Sequence, residues 1–280
     1  MAADAETVII TGASDGIGAA AARALQRAGK RVVVVGRSPE KTAAVARELG
    51  VPYHVSDFSR LAEVRALAAE LLATYPRIDV LANNAGFIGT KRTLTDDGHE
   101  MMFQVNHLAP FLLTNLLRER LVASGARVIT TSSAGNNFGQ VALGNLEHQR
   151  GYRSFLVYCA TKLQNILFTQ ELARRWGPEG VRAAAFHPGI VASRFGGTDR
   201  GLIGLIYRTP LTRWALVTPE GGADTLVWLA TSRTGVDWQS GGYYSRRTPG
   251  RLNPQAHDAA LARGLWAVSA AMVGIMTNDE

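Results

Sequence analysis

Residues 7–25 read TVIITGASDGIGAAAARAL, and the rest of the chain is organised around this stretch. A short run of β-branched residues ends at Thr11, glycines stand at 12, 16 and 18, and an alanine-rich segment follows at once. The first part reads as a strand and the last as a helix. Glycines at the turn between them let the backbone approach an anion closely. The first turn of the helix then points unpaired N–H groups toward that anion, and its dipole favours negative charge. The expected ligand is the pyrophosphate of a dinucleotide, held by Gly12, Ser14, Asp15, Gly16, Ile17 and Gly18. The spacing is G-x-x-x-G-x-G rather than the G-x-G-x-x-G form, so neighbouring segments have to identify the nucleotide.

The next β-branched run, RVVVVGRS at 31–38, does so through the residues at its end. An acid at this place accepts hydrogen bonds from the 2′-hydroxyl of NAD, whereas an arginine pairs with the 2′-phosphate of NADP. Here the run ends in Gly36, Arg37 and Ser38, with no carboxylate. A planar, always-charged guanidinium favours NADP. An ordinary solvated surface arginine is the competing reading.

Further strands are expected at 53–55, 80–82, 127–131 and 181–186, with a weaker one at 242–245. Helices are expected at 19–28, 39–49, 61–73, 103–121 and 156–176. Strands that alternate with helices imply a parallel sheet with crossover helices on its faces. No linker interrupts the pattern, which predicts a single doubly wound α/β domain over residues 1–280 with a C-terminal helical extension at 253–276. Asn253 and Pro254 look like its cap and first helical residue. Leu261, Leu265, Val268, Met272 and Ile275 share one face of it, set either against the sheet domain or against a second copy of the chain.

Composition narrows the function classes. The apolar fraction of 46% and charged fraction of 19% are those of an ordinary globular chain. The formal charge of +7 raises nucleic acid as a partner, but Arg and Lys are scattered as singles and pairs with no basic run among aromatics, so none is expected. The single cysteine, Cys159, excludes an intrachain disulfide. No apolar stretch reaches the length of a membrane-spanning helix, and no signal segment precedes the first strand, so a cytoplasmic protein is expected. The six histidines show no metal-binding spacing, and no metal is expected.

The chemistry is carried by FLVYCATKLQ at 155–164. Tyr158 and Lys162 are four residues apart and share a helix face. A tyrosine phenol, with a pKa near 10, trades protons poorly at neutral pH, and a nearby ammonium stabilises its phenolate. Cys159 points about 100° away around the helix and takes no part.

With these residues the chain resembles the short-chain dehydrogenases/reductases. The resemblance rests on TGASDGIG at 11–18, NNAG at 83–86, TTSSAG at 130–135, Y-x-x-x-K at 158–162 and HPG at 187–189, in that order. Within the family it is similar to the retinol dehydrogenase-like branch through YCATKLQNILFTQELARRW, HPGIVASRF, SGGYYS and ARGLWAVS. The resemblance implies a catalytic set of Asn106, Ser133, Tyr158 and Lys162. Tyr158 would be the general acid or base, Lys162 would also hold the nicotinamide ribose, Ser133 would bind the substrate oxygen, and Asn106 would anchor a proton relay. It further implies that Asp57 and Phe58 meet the adenine, that Asn84, Ala85 and Gly86 line the adenosine side, and that Pro188, Gly189 and Val191 border the nicotinamide. The vertebrate retinol enzymes carry an N-terminal membrane anchor that this sequence does not show, so a retinoid substrate is not expected.

Residues 190–217 mix glycines with Leu202, Ile203, Leu205, Ile206, Tyr207, Leu211 and Trp214. They read as a lid over a small, largely apolar carbonyl or alcohol substrate, as core, or as a contact with a second subunit. The functional expectation is an NADP-dependent oxidoreductase. A non-catalytic NADP-binding sensor on the same fold is the alternative.

Overall fold

The computed structural model describes residues 5–189 and 217–276. The strands are β1 (Thr7–Thr11), β2 (Arg31–Gly36), β3 (Tyr53–Val55), β4 (Val80–Asn83), β5 (Arg127–Thr131), β6 (Arg182–Phe186), β7 (Tyr243–Ser245) and β8 (Thr248–Pro249). They form one eight-stranded sheet in the order β3-β2-β1-β4-β5-β6-β7-β8. All neighbours are parallel except β7 and β8, which pair as an antiparallel hairpin. The chain first builds outward from β1 through β2 to β3, then returns to β1's other side at β4. That reversal opens a crevice beyond the C-terminal ends of β1 and β4, where ligands of such sheets bind.

The strand alternation divides the core in two. Ile9 of β1 faces one layer, while Val8 and Ile10 face the other. The first layer holds α3 (Leu61–Thr74), α5 (Ala109–Leu116), α7 (Ser154–Trp176) and α9 (Ala259–Met272), and the second holds α1 (Gly16–Arg27) and α8 (Pro219–Thr231). Ala19 to Ala22 are buried in α1, and their small side chains bring the helix close to the sheet. α2 (Pro39–Leu49) is capped by Ser38 and closed by Gly50 in the left-handed region at φ +64°.

Four elements depart from the sequence reading. The helix expected at 103–121 is divided into α4 (Met101–Phe103), a π turn at Gln104–Leu108, α5 and α6 (Arg118–Ser124). Pro110 is one cause, since it has no N–H to give to the carbonyl four residues back. The C-terminal helix does not begin at Asn253. That residue caps a 3₁₀ turn at Pro254–His257, and Asp258 caps α9 by accepting from the Leu261 N–H at 2.9 Å. The buried residues of α9 are Ala262, Leu265, Trp266, Ser269 and Ala270, with Leu261, Val268 and Met272 partly buried and Ile275 packing just past its end. Its Trp266 stacks on Phe168 and meets Phe111 edge-on, so this face packs on α7 and α5 of the same chain. α8 and β8 were not expected. Of the segment read as a lid, residues 190–216, including Val191, lie outside the described residues. Among the described residues no helix is long and apolar enough to cross a membrane.

Candidate active site

The glycine turn is shaped by close approaches. A Cβ at Gly12, whose φ is +66°, would stand 2.7 Å from the Ala85 Cα, and one at Gly18 would stand 2.4 Å from the Gly12 carbonyl oxygen. Both contacts are far inside van der Waals distance, so only glycine fits. Asp15 caps α1, its carboxylate accepting from the Gly16 N–H at 2.8 Å. The loop after β4 is fastened to the same turn. Asn84 Nδ2 donates to the Thr11 and Gly12 carbonyls at 3.0 and 3.3 Å, while Thr11 Oγ1 accepts from the Asn84 and Ala85 N–H groups at 3.0 Å each. Asn84, Ala85 and Gly86 thereby adjoin the turn, with Ile17 half-buried behind it.

At the end of β2 a Cβ on Gly36 would meet the Ser14 Cβ at 2.7 Å, so Ser14 sits directly against the residue before Arg37. Arg37 is exposed and makes no hydrogen bond or ion pair among the described residues. Its five donors are available to a ligand. Asp57 follows β3 and accepts from the Ser59 N–H and hydroxyl at 2.9 and 2.8 Å. Phe58 differs from the expectation: its ring is in the core and its carbonyl accepts from Gln104 Nε2. Only its backbone N–H remains to offer an adenine.

The reacting end lies beyond β5. Lys162 is 2% exposed, and its ammonium donates to the Thr131 carbonyl at 3.2 Å and lies 5.7 Å from the centre of the Tyr158 ring. Burial penalises the charged form and lowers its pKa to about 8. Ser132 and Ser133 separate here. Ser132 Oγ is buried and donates to the Lys162 carbonyl at 2.7 Å, which braces α7, whereas Ser133 Oγ accepts from the Gly135 N–H at 3.1 Å and keeps its own proton to donate. A Cβ built on Gly135 would be 3.4 Å from Ser133 Oγ and 3.7 Å from Tyr158 Cε1, so the two groups flank one small gap. Cys159 packs there at 0% exposure, and burial raises its pKa to about 12, leaving an inert thiol.

Asn106 is in the π turn, and its side chain is fully engaged. Its Oδ1 accepts from the Phe87 N–H at 2.6 Å, and Nδ2 donates to the Phe87 carbonyl at 2.9 Å and to Thr161 Oγ1 at 3.0 Å. The amide therefore ties the loop after β4 to α7. The Asn106 backbone carbonyl has no i+4 donor, because that residue is Pro110, which has no N–H. His187 Nδ1 accepts from the Gly189 N–H at 3.0 Å and shapes the Pro188–Gly189 turn.

Two residues packed behind the site, Tyr243 and Asn136, were not singled out in the sequence, although Tyr243 lies within SGGYYS. The Tyr243 hydroxyl donates to the Ser133 carbonyl at 3.1 Å and accepts from Asn136 Nδ2 at 3.1 Å, and its ring lies 6.0 Å from that of His187. Asn136 in turn holds Asn253, which anchors the C-terminal segment. Tyr243→Phe is expected to lower kcat roughly five- to ten-fold, the value of one net hydrogen bond, and to leave the Kd for cofactor within two-fold. A parallel loss of both would show general loosening instead.

A glycine turn that tolerates no Cβ, an arginine at the end of β2 with no partner among the described residues, and a buried lysine beside a tyrosine and a serine all follow the C-terminal ends of strands of one sheet. Residues 6–200 match the model of the short chain dehydrogenase family. The chain belongs to that family. It is 45% identical to a Streptomyces sp. (strain C5) protein named a candidate daunorubicin C-13 ketoreductase, over 96% of this chain and 92% of the other. It is 38% identical to retinol dehydrogenase 14 of Mus musculus, over 97% of this chain and 86% of that protein. An uncharacterised protein of Mycobacterium paratuberculosis superposes with a TM-score of 0.78 at 32% identity, covering 96% of this chain and 94% of that one. A metagenomic short-chain oxidoreductase solved with NADP superposes at 0.62 and 27% identity, covering 85% and 95%. The short-chain dehydrogenase described here is thus an oxidoreductase of a family that binds a nicotinamide cofactor, and its relatives are named for alcohol and ketone chemistry.

Proposed function

We propose that this short-chain dehydrogenase is an NADP(H)-dependent enzyme that interconverts a carbonyl and an alcohol on a largely apolar small molecule. The carrying observation is the buried Lys162 ammonium beside Tyr158, because a binding protein has no need to hold a desolvated charge next to a phenol. The residues fit the cofactor. Gly12 and Gly18 form a cradle that any Cβ would fill, and Lys162 has the Thr131 carbonyl as its one hydrogen-bond acceptor among the described residues, leaving two N–H donors for a ribose. The bound nicotinamide supplies or takes the hydride.

The protein's own groups manage the oxygen and the proton. Ser133 Oγ donates to the substrate oxygen and orients it. Tyr158 gives its phenolic proton to that oxygen in reduction and receives it back in oxidation. Lys162 stabilises the phenolate that remains. Asn106 anchors the water-linked relay through which the proton is replaced.

Cofactor choice follows from Arg37, which has no acidic neighbour at the end of β2 to favour a 2′-hydroxyl. Losing a charge-assisted contact costs about 1.5 to 3 kcal/mol, so Arg37→Ala is expected to weaken NADPH roughly ten-fold to over a hundred-fold while sparing NADH. Titrating both cofactors into both proteins tests it. Equal affinities for NADH and NADPH in the unaltered protein would overturn the assignment.

A further inference from the structure

Two exposed aromatic rings are carried by the same two segments as the reacting groups. Phe138 ends the 3₁₀ turn that Ser133 caps, and Phe155 is on α7, three residues before Tyr158 and seven before Lys162. At about 100° per residue, position 155 is offset by roughly 60° from 158 and 20° from 162, so the three side chains form one stripe along the helix. With about 1.5 Å of rise per residue, Phe155 lies one turn further out along that stripe than the phenol. The Phe138 and Phe155 rings are 6.3 Å apart and tilted by 45°, and the residues are 65% and 46% exposed. Neither ring belongs to either layer of the core. Both come from segments that also carry a reacting group, Ser133 in one case and Tyr158 in the other.

We infer that Phe138 and Phe155 form a subsite for a flat ring system, so that the preferred substrate is an aryl ketone or the matching benzylic alcohol. This rests on the carbonyl–alcohol reading above and specifies its substrate class. Two tilted phenyl rings offer a face and an edge to a third ring, which gains directional aromatic contacts as well as buried area, whereas an alkyl chain gains area alone. The exposed apolar pair is the kind of patch that marks a ligand site. Its position one helical turn outward of Tyr158 suits a ketone whose carbonyl is attached directly to the ring. Reduction adds a hydride from NADPH to the carbonyl carbon and the Tyr158 proton to its oxygen, giving a benzylic alcohol and NADP⁺.

The test uses the full chain with NADPH and two twelve-carbon methyl ketones, 2-acetylnaphthalene and 2-dodecanone. Phe138→Leu and Phe155→Leu keep apolar bulk and remove the rings. The ratio of kcat/KM for the aryl ketone to that for the alkyl ketone is expected to fall roughly ten-fold in the double variant, mainly through KM, and to be restored by Phe155→Tyr. Binding is measured separately, by fluorescence quenching of 2-acetylnaphthalene on the NADP⁺-loaded protein, with a matching loss of affinity expected. An unchanged ratio and unchanged affinity in the double variant overturn the ring subsite while leaving the oxidoreductase reading in place. Ring-dependent binding with no turnover of either ketone, nor of the alcohols in the reverse direction, removes the oxidoreductase reading and supports the subsite. Absence of binding and of turnover overturns the subsite.

Discussion

Tyr158→Phe is expected to reduce turnover by about 10² to 10⁴ while leaving NADPH affinity within a few-fold of the parent. The substitution keeps the ring against the Lys162 ammonium and removes only the transferable proton, and general acid catalysis is worth about that much. Ser133 still orients the substrate oxygen, so the loss should appear in kcat rather than in binding. Single-turnover reduction by pre-bound NADPH, with cofactor affinity measured by fluorescence, separates the two. Full activity in the Phe variant would remove the phenol from the mechanism and assign the proton to a different acid.

Lys162→Met is expected to lose turnover and cofactor affinity together, by about 10² in turnover and roughly ten-fold or more in NADPH binding. The lysine has two duties, stabilising the phenolate and holding the ribose, and methionine retains only its apolar stem. The double variant with Tyr158→Phe should be little worse than the poorer single variant, because groups that act as one unit share one loss. The same lysine sets the pH response. Its pKa in the folded chain is about 8, below the ordinary 10.5, because burial disfavours the ammonium. Carbonyl reduction should therefore decline as pH rises through about 8, as the charge beside Tyr158 is lost. Stability moves the other way. Between about 8 and 10.5 the unfolded chain holds this proton and the folded one does not, so the lysine's contribution to stability rises with pH across that window. In Lys162→Met that part of the rise should vanish, and the cofactor-free protein should unfold at no lower temperature at pH 7, since a desolvated charge has been removed. Thermal melts of both proteins from pH 7 to 10 check the sign.

Much of this was legible in the sequence because the determinants are local. The strand, glycine turn and helix at 7–25 are adjacent along the chain, and each follows from backbone freedom, β-branching or helix propensity. Tyr158 and Lys162 share a face because a helix repeats every 3.6 residues, and that was readable once the stretch was taken as helical. Arg37 without an acid is a statement about one position at the end of a run. The expected helix at 103–121 was correct as an apolar stretch, but its division around Pro110 was overlooked, although the proline marks it. α8 was missed because Gly221 and Gly222 in its first turn lower helix propensity, even though Thr218 and Pro219 provide a start signal.

What only the tertiary structure decided are the contacts made across long separations. Tyr243 reaches the Ser133 carbonyl over 110 positions, and Asn253 reaches Asn136 over 117. No periodicity links such residues, because sheet order, not spacing, sets β7 beside β6. The burial of Lys162 likewise depends on β5, α7 and the Ser132 loop closing around one ammonium, so its lowered pKa belongs to the assembled crevice and not to the Y-x-x-x-K motif. Phe138 and Phe155 look like ordinary core residues in the sequence. The fold leaves them outside both core layers and exposed, so the rings are free to meet a ligand.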